Sequence, residues 1–249
     1  MTLIDIPRPS QVVPVYESNL FEKHEPAKYA VGIIARGDVV TPGMDDDYEA
    51  YLRLRGNVYA MQEGMIDPAH VAEDGTERDE NDHRSVHIAI AERTVDDQQL
   101  LIGAMRIIVK TDESPGPLPI ESFFEDFQEP APVGVNELSR FICRHEDSRL
   151  QMLLKWPLYR RVVAHAIDAD LDQTFAVIEP PLARIFDRDG MPTRAVTAPK
   201  YIAEYNDVNL GIAIDMRALA DRFDLQPEPD RDDVSYFASR SDLIKGATL

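Results

Sequence analysis

Alternation of apolar and polar positions is clearest in the middle of the chain. SVHIAIAE at 85–92 and LLIGAMRIIVKT at 100–111 read as two strands joined by the turn-like RTVDDQQ, a hairpin. VNELSRFIC at 135–143 predicts a third strand, QTFAVI at 173–178 another, LGIAIDM at 210–216 a last one, and YAVGIIA at 29–35 a short early one. A helical period replaces this alternation in DDDYEAYLRLRGNVYAMQ, where acidic residues suit a helix N-terminus and Tyr48, Tyr51, Leu52, Val58 and Tyr59 form one stripe. IESFFEDF is a short helix after the loop ESPGPLP, and PPLARIFDRDG is a helix that Pro180 and Pro181 start and Gly190 stops. The stretch 148–170 is helical in pattern, with Pro157 kinking it or dividing it in two. Hairpins first, then strands alternating with helices, predict a mixed α/β sheet over 45–216, with an N-terminal extension at 1–44 and a polar tail at 217–249 that packs on the domain or trails it.

Four charged residues interrupt these apolar patterns. Arg55 falls within the helix stripe, Arg106 shares a strand face with Ile102, Ala104 and Ile108, and Glu137 and Arg140 sit inside another strand. A buried guanidinium needs carboxylate partners, since breaking such a pair costs ~3–5 kcal/mol. The nearest supply is Asp79, Asp82 and Glu137, which predicts an arginine–carboxylate network across one end of the sheet, serving either a site or only the orientation of the fold. Alternation puts Glu137 and Ser139 on one face and Arg140 on the other, or along the strand edge. A carboxyl among apolar neighbours has its pKa raised, so Glu137 can serve as a base toward an ammonium, with Arg140 and Arg144 facing a phosphate-bearing donor.

Composition narrows the classes. At 249 residues and 44% hydrophobic the chain can bury a sizeable core, and its net charge of −19 argues against generic nucleic-acid or anionic-membrane binding. Arg140, Arg144, Arg149, Lys155, Arg160 and Arg161 nevertheless form a basic island against only Glu146 and Asp147, fit to receive phosphates or an acidic partner, or to pair with acids elsewhere in the fold. No apolar run is long enough to span a bilayer, MTLIDIPRPSQVVPVY lacks a signal core, and one cysteine, Cys143, allows no disulfide framework; a cytoplasmic location is expected. The six histidines lack metal-ligand spacing, DENDH reads as a solvated loop, and no metal site is expected. Phosphate-loop, dinucleotide, nucleophile-elbow and zinc-protease motifs are missing.

The pieces that remain resemble the acyl-homoserine-lactone synthases, a branch of the GNAT-fold N-acyltransferases, and in that family's order. LRGNVY (54–59) is similar to its L-R-x-x-V-F helix, Asp79 and Asp82 to its D-x-x-D pair, GAMR (103–106) to its G-x-x-R strand, and NELSRF (136–141) to its E-x-S-R-F strand. GPLPIESFF (116–124) resembles the loop and helix that follow the second strand, and LARIFDRDGM (182–191) the late helix with its glycine stop. The resemblance covers 48–216. It implies a three-layer GNAT-like fold whose central sheet is mixed, mostly antiparallel and twisted, with helices on both faces. It also implies transfer of an acyl group from acyl carrier protein, or from acyl-CoA, to the amine of S-adenosylmethionine, followed by lactone closure that expels methylthioadenosine.

On this resemblance Glu137 and Ser139 are catalytic, and Arg55, Tyr59, Asp79, Asp82, Arg106, Arg140 and Phe141 bind substrate. Arg144, Arg149, Lys155, Arg160 and Arg161 would dock the acidic carrier. The phosphopantetheine arm would enter where the central strands splay, no cofactor would be tightly bound, and backbone N–H groups would hold the oxyanion. Phe123, Phe127, Leu153 and Leu158 fit an acyl tunnel as well as they fit ordinary core. The chain departs from the family where tryptophans are usual, carrying Met65 or its neighbours and Asn136 there, and Tyr59 stands where phenylalanine is usual. Two alternatives follow: an N-acyl amino acid synthase on the same scaffold, with part of its amine pocket supplied by the extension, and a non-catalytic GNAT-like binding module.

Overall fold

The alternating runs do form the centre of one sheet. The computed structural model describes residues 16–20, 27–129, 131–228, 232–239 and 242–244. Its strands are β1 (Tyr29–Arg36), β2 (Val39–Val40), β3 (Ser85–Arg93), β4 (Gln99–Val109), β5 (Asn136–Cys143), β6 (Gln173–Ile178), β7 (Thr193–Ala195), β8 (Lys200–Ile202), β9 (Asp207–Asp215) and β10 (Val234–Phe237). Its α-helices are α1 (Asp45–Arg55), α2 (Pro119–Phe123), α3 (Ser148–Asp168), α4 (Pro180–Arg188) and α5 (Met216–Phe223).

The sheet runs β10-β1-β3-β4-β5-β6-β9-β7, with β2 beside β1 and β8 beside β9. Every pairing is antiparallel except β5 with β6. One apolar layer joins Ile88, Ile90, Met105 and Ile107 to Leu154 and Leu158 of α3, Phe186 of α4 and Leu219 of α5. The other joins Ile34, Ala89, Ala91 and Ala104 to Tyr51 and Leu52 of α1. Successive strand side chains face opposite ways, so these two sets give three layers, the mixed, mostly antiparallel GNAT-like architecture.

Three expectations change. β1, read as part of an extension, is an inner strand between β3 and β10 and is buried on both faces, because YAVGIIA offers apolar side chains to both layers. The boundary at 44 therefore separates no detached segment, and of the tail, open to packing on the domain or trailing it, Val234–Phe237 packs on the sheet as β10; residues 1–15 and 21–26 of the extension lie outside the described residues. α3 continues through Pro157 and is not divided, since the burial of Leu150, Leu154, Leu158 and Val162 along one side outweighs the lost backbone hydrogen bond.

One irregularity shapes the site. Against β4, Ala104 faces Ile142 but Arg106 faces Ser139, so β5 carries one extra residue, and Arg140 there is left-handed at φ 53°. This is a β-bulge, which bends and twists its strand. The β5–β6 ladder accordingly spans only Asn136–Leu138 against Thr174–Ala176, and beyond it the two strands diverge.

Candidate active site

Arg55 ends α1 where the helix widens into a π-helical turn, Gly56–Gln62. Such turns occur often at functional sites. Gly56 permits the close approach of the following loop, for a Cβ there would lie 2.4 Å from the Gly75 carbonyl oxygen. That loop carries three acids into a closed network. Asp82 accepts from Arg55 Nη1 (2.7 Å) and Arg106 Nη1 (2.7 Å), and Asp79 accepts from Arg106 Nη1 (2.6 Å) and Arg140 Nη2 (3.0 Å). Glu77 accepts from Arg140 Nη2 (2.8 Å) and pairs with Arg55, while Arg106 Nε donates to Ser139 Oγ (2.9 Å). Three guanidinium groups thus face three carboxylates. Burial alone would raise these acids, but Arg55 and Arg106 at Asp82, Arg55 and Arg140 at Glu77, and Arg106 and Arg140 at Asp79 outweigh it and hold all three below the usual carboxylate range.

One sequence expectation is settled at this network and another fails. Of the two directions open to Arg140 the opposite face is not taken, because the bulge turns it onto Glu77 and Asp79 and over the Tyr59 ring, 5.4 Å from the centroid. Glu137 is not a member of the network. It lies opposite Ile108 on β4 and Phe175 on β6, two pairs beyond the Arg106–Ser139 position, and Glu77 takes the role assigned to it. Glu77 is buried in a run where every acid looks alike (GTERDEND), so only its spacing two before Asp79 could have singled it out.

Glu137 is 1% exposed, and its Oε2 accepts one backbone hydrogen bond, from Ile120 N at 2.9 Å. Burial pushes its carboxyl up to about 8, against the weaker opposing effects of that N–H and of Arg106. It lines a cavity of about 410 Å³ that opens where β5 and β6 part. The polar end presents Glu137, Ser139, Arg140, Tyr205 and Asn209, with Tyr59 and Met65 beside them; Tyr59 Oη donates to the Phe141 carbonyl (2.8 Å). The apolar end lies on the α3 side, among Val162, Leu182, Phe186, Ile214, Met216 and Leu219, with Phe141 stacked on Tyr159 at 5.5 Å. Phe123, Phe127, Leu153 and Leu158 do not line it: Phe127 packs edge-on against Phe175 beneath α2, and Leu158 is sealed in the core.

The basic island is not one surface. Arg161, 5% exposed, pairs with Asp233 and donates to the Asp232 carbonyl; Arg160 donates to the Phe223 carbonyl; and Lys155 pairs with Asp189. α3 turns these three toward α5, β10 and the end of α4, where they satisfy groups within the fold. Arg144, paired with Glu63 at the cavity rim, and the exposed Arg149 remain near the end of β5. Among the described residues no helix is long and apolar enough to cross a membrane.

The family described as autoinducer synthase matches residues 45–218. No curated protein matches the sequence. The fold is similar to BjaI, a CoA-dependent acyl-homoserine lactone synthase solved with SAM and isopentyl-CoA, at a TM-score of 0.58 and 19% identity, covering 87% of this chain and 98% of BjaI. It is also similar to TofI, solved in a ternary complex with an inhibitor and MTA, at 0.54 and 22%, covering 76% and 91%. FeeM, an N-acyl amino acid synthase from uncultured soil microbes, aligns at 0.52 and 14%, covering 77% and 92%. At these identities the likeness is one of fold.

Proposed function

The chain belongs to the autoinducer synthase family and is an acyltransferase, and from that premise we propose that it acylates the amine of S-adenosylmethionine to form an N-acyl-homoserine lactone. One observation carries this reading: Glu137, a fully desolvated carboxyl raised to about 8, lines an otherwise mostly apolar cavity together with Ser139 and Arg140 of the charged network, while the other raised acid of that wall, Glu179, is only half-buried. The acyl chain occupies the apolar end, with its thioester at the gap between β5 and β6. Arg55, Tyr59, Asp79, Asp82, Arg106 and Arg140 shape the amine vestibule, Ser139 fixes the Arg106 guanidinium, and Phe141 walls the acyl side.

The amine nitrogen attacks the thioester carbonyl, Glu137 takes the proton it sheds, and as the carbon–sulfur bond breaks that proton passes to the departing sulfur, releasing the thiol and restoring the carboxylate. The substrate carboxylate then displaces methylthioadenosine from the γ-carbon, closing the lactone. Acyl carrier protein suits the donor role better than CoA. The first turn of α3, which follows β5, is capped by Asp147, whose Oδ1 accepts from Arg149 N (2.9 Å) and Leu150 N (3.2 Å), so two of the amides a pyrophosphate would use there are already engaged by an anion. Arg144 and Arg149 are the basic residues placed to meet an acidic carrier; Lys155, Arg160 and Arg161 leave that role.

An N-acyl amino acid synthase is the second reading, favoured by Met65 on the vestibule wall and the buried Asn136 where tryptophans are usual in the family. Thiol release from acyl-carrier protein, followed with S-adenosylmethionine and separately with free amino acids, decides between them. Methylthioadenosine must accumulate in step with thiol in the first case. Release supported only by an amino acid moves the assignment to the second, and release with neither amine, from any acyl thioester, overturns both.

A further inference from the structure

Tyr205 belongs to none of the motifs above. It ends a short 3-10 turn, Ala203–Tyr205, between β8 and β9, and Asn206 after it is left-handed at φ 50°. Its ring stands edge-on against Phe123, with centroids 5.1 Å apart, which fixes its direction. The side chain lines the polar end of the cavity across from β5, and its hydroxyl makes no hydrogen bond among the described residues. Tyr205 is half-buried in this wall, so its phenol can take a partner from the cavity.

We propose that Tyr205 contacts the amine substrate and is specificity-determining, its hydroxyl donating a hydrogen bond to the substrate α-carboxylate beside Arg140 while the α-amine lies against Glu137. The proposal deepens the reading above and rests on the acceptor being an α-amino acid derivative. The three arginines of the vestibule are already matched by three carboxylates of the protein, so an incoming carboxylate needs a donor from outside that network. Arg140 and Glu137 line the same cavity as Tyr205 and both act on its hydroxyl electrostatically, so a cation and a proton acceptor share this wall as a zwitterion requires. Burial pushes this phenol up to about 12, so at neutral pH it is a donor and not a phenolate.

Tyr205→Phe removes only the oxygen and keeps the contact with Phe123. Binding of S-adenosylmethionine and of its decarboxylated analogue to the wild type and the variant, by calorimetry, together with KM and kcat, tests the assignment. A hydrogen bond to a charged group corresponds to about tenfold or more in affinity. The variant should therefore lose about that factor in Kd and KM for S-adenosylmethionine, with kcat, KM for the acyl thioester and Tm unchanged. The decarboxylated analogue should bind both proteins equally. Equal affinity of both proteins for S-adenosylmethionine, or an equal loss for both ligands, overturns the inference while leaving the proposed reaction standing. A wild type that binds neither ligand removes the premise instead and overturns both.

Discussion

Glu137 and Asp82 are both buried carboxyls that approach the same strand, yet their surroundings drive them in opposite directions. Asp82 receives two guanidinium groups and the Asp79 N–H and stays ionised well below the ordinary range. Glu137, with one backbone donor and apolar neighbours, is pushed to about 8. Burial therefore does not set a carboxyl's state by itself; the number of positive partners that share the burial does. The network is suited to hold shape and charge, and the isolated acid to exchange a proton near neutral pH.

The contrast breaks most sharply at Glu137. Glu137→Gln keeps an acceptor for Ile120 N and should lower turnover by about 10²–10⁴-fold, the usual weight of a general base, measured as thiol release. A binding module would keep its biological activity through this change. At Asp82 the cost falls on the fold: Asp82→Ala takes one carboxylate from each of Arg55 and Arg106, leaves three guanidinium groups against two acids, and should remove ~3–5 kcal/mol from the unfolding free energy in urea. The pH profile sharpens the difference. Activity should climb roughly tenfold per pH unit up to about 8 and then level, because only ionised Glu137 accepts the proton.

Stability should move the other way, since the folded pKa of Glu137 lies above its ordinary 4.5. The folded state holds this proton more tightly, so the contribution is complete below about pH 4.5 and is lost as pH rises through about 8. Glu137→Gln should therefore gain more in Tm over the wild type at pH 9 than at pH 5. The smallest effect belongs to the rim, where Arg149→Glu should change stability by no more than about 0.5 kcal/mol and show itself as a raised KM for the carrier-bound donor alone.

The sequence made the paired strands legible because β3, β4 and β5 keep their alternation, and Arg55, Arg106 and Glu137 stood out as charges within it. What it hid has physical causes. The bulge at Arg140 breaks the period of two on which a facing argument depends, so alternation leaves Arg140 open between the other face and the strand edge. Glu77 lies in a loop where no periodicity distinguishes a buried acid from solvated ones. β10 is a four-residue edge strand, VSYF, whose pairing comes from β1 more than two hundred residues earlier. Tyr205 reaches the cavity from a turn, and turns carry no pattern that points inward.

The opening between β5 and β6 exists because one residue of slack was inserted beside Arg140, not because either strand lacks the means to go on hydrogen-bonding. An acceptor vestibule and an acyl passage are thus both hostage to a single codon. Its loss would let the ladder zip onward past Leu138 and seal the crevice in a protein that still folds, giving a stable, inert descendant by the shortest of mutational routes.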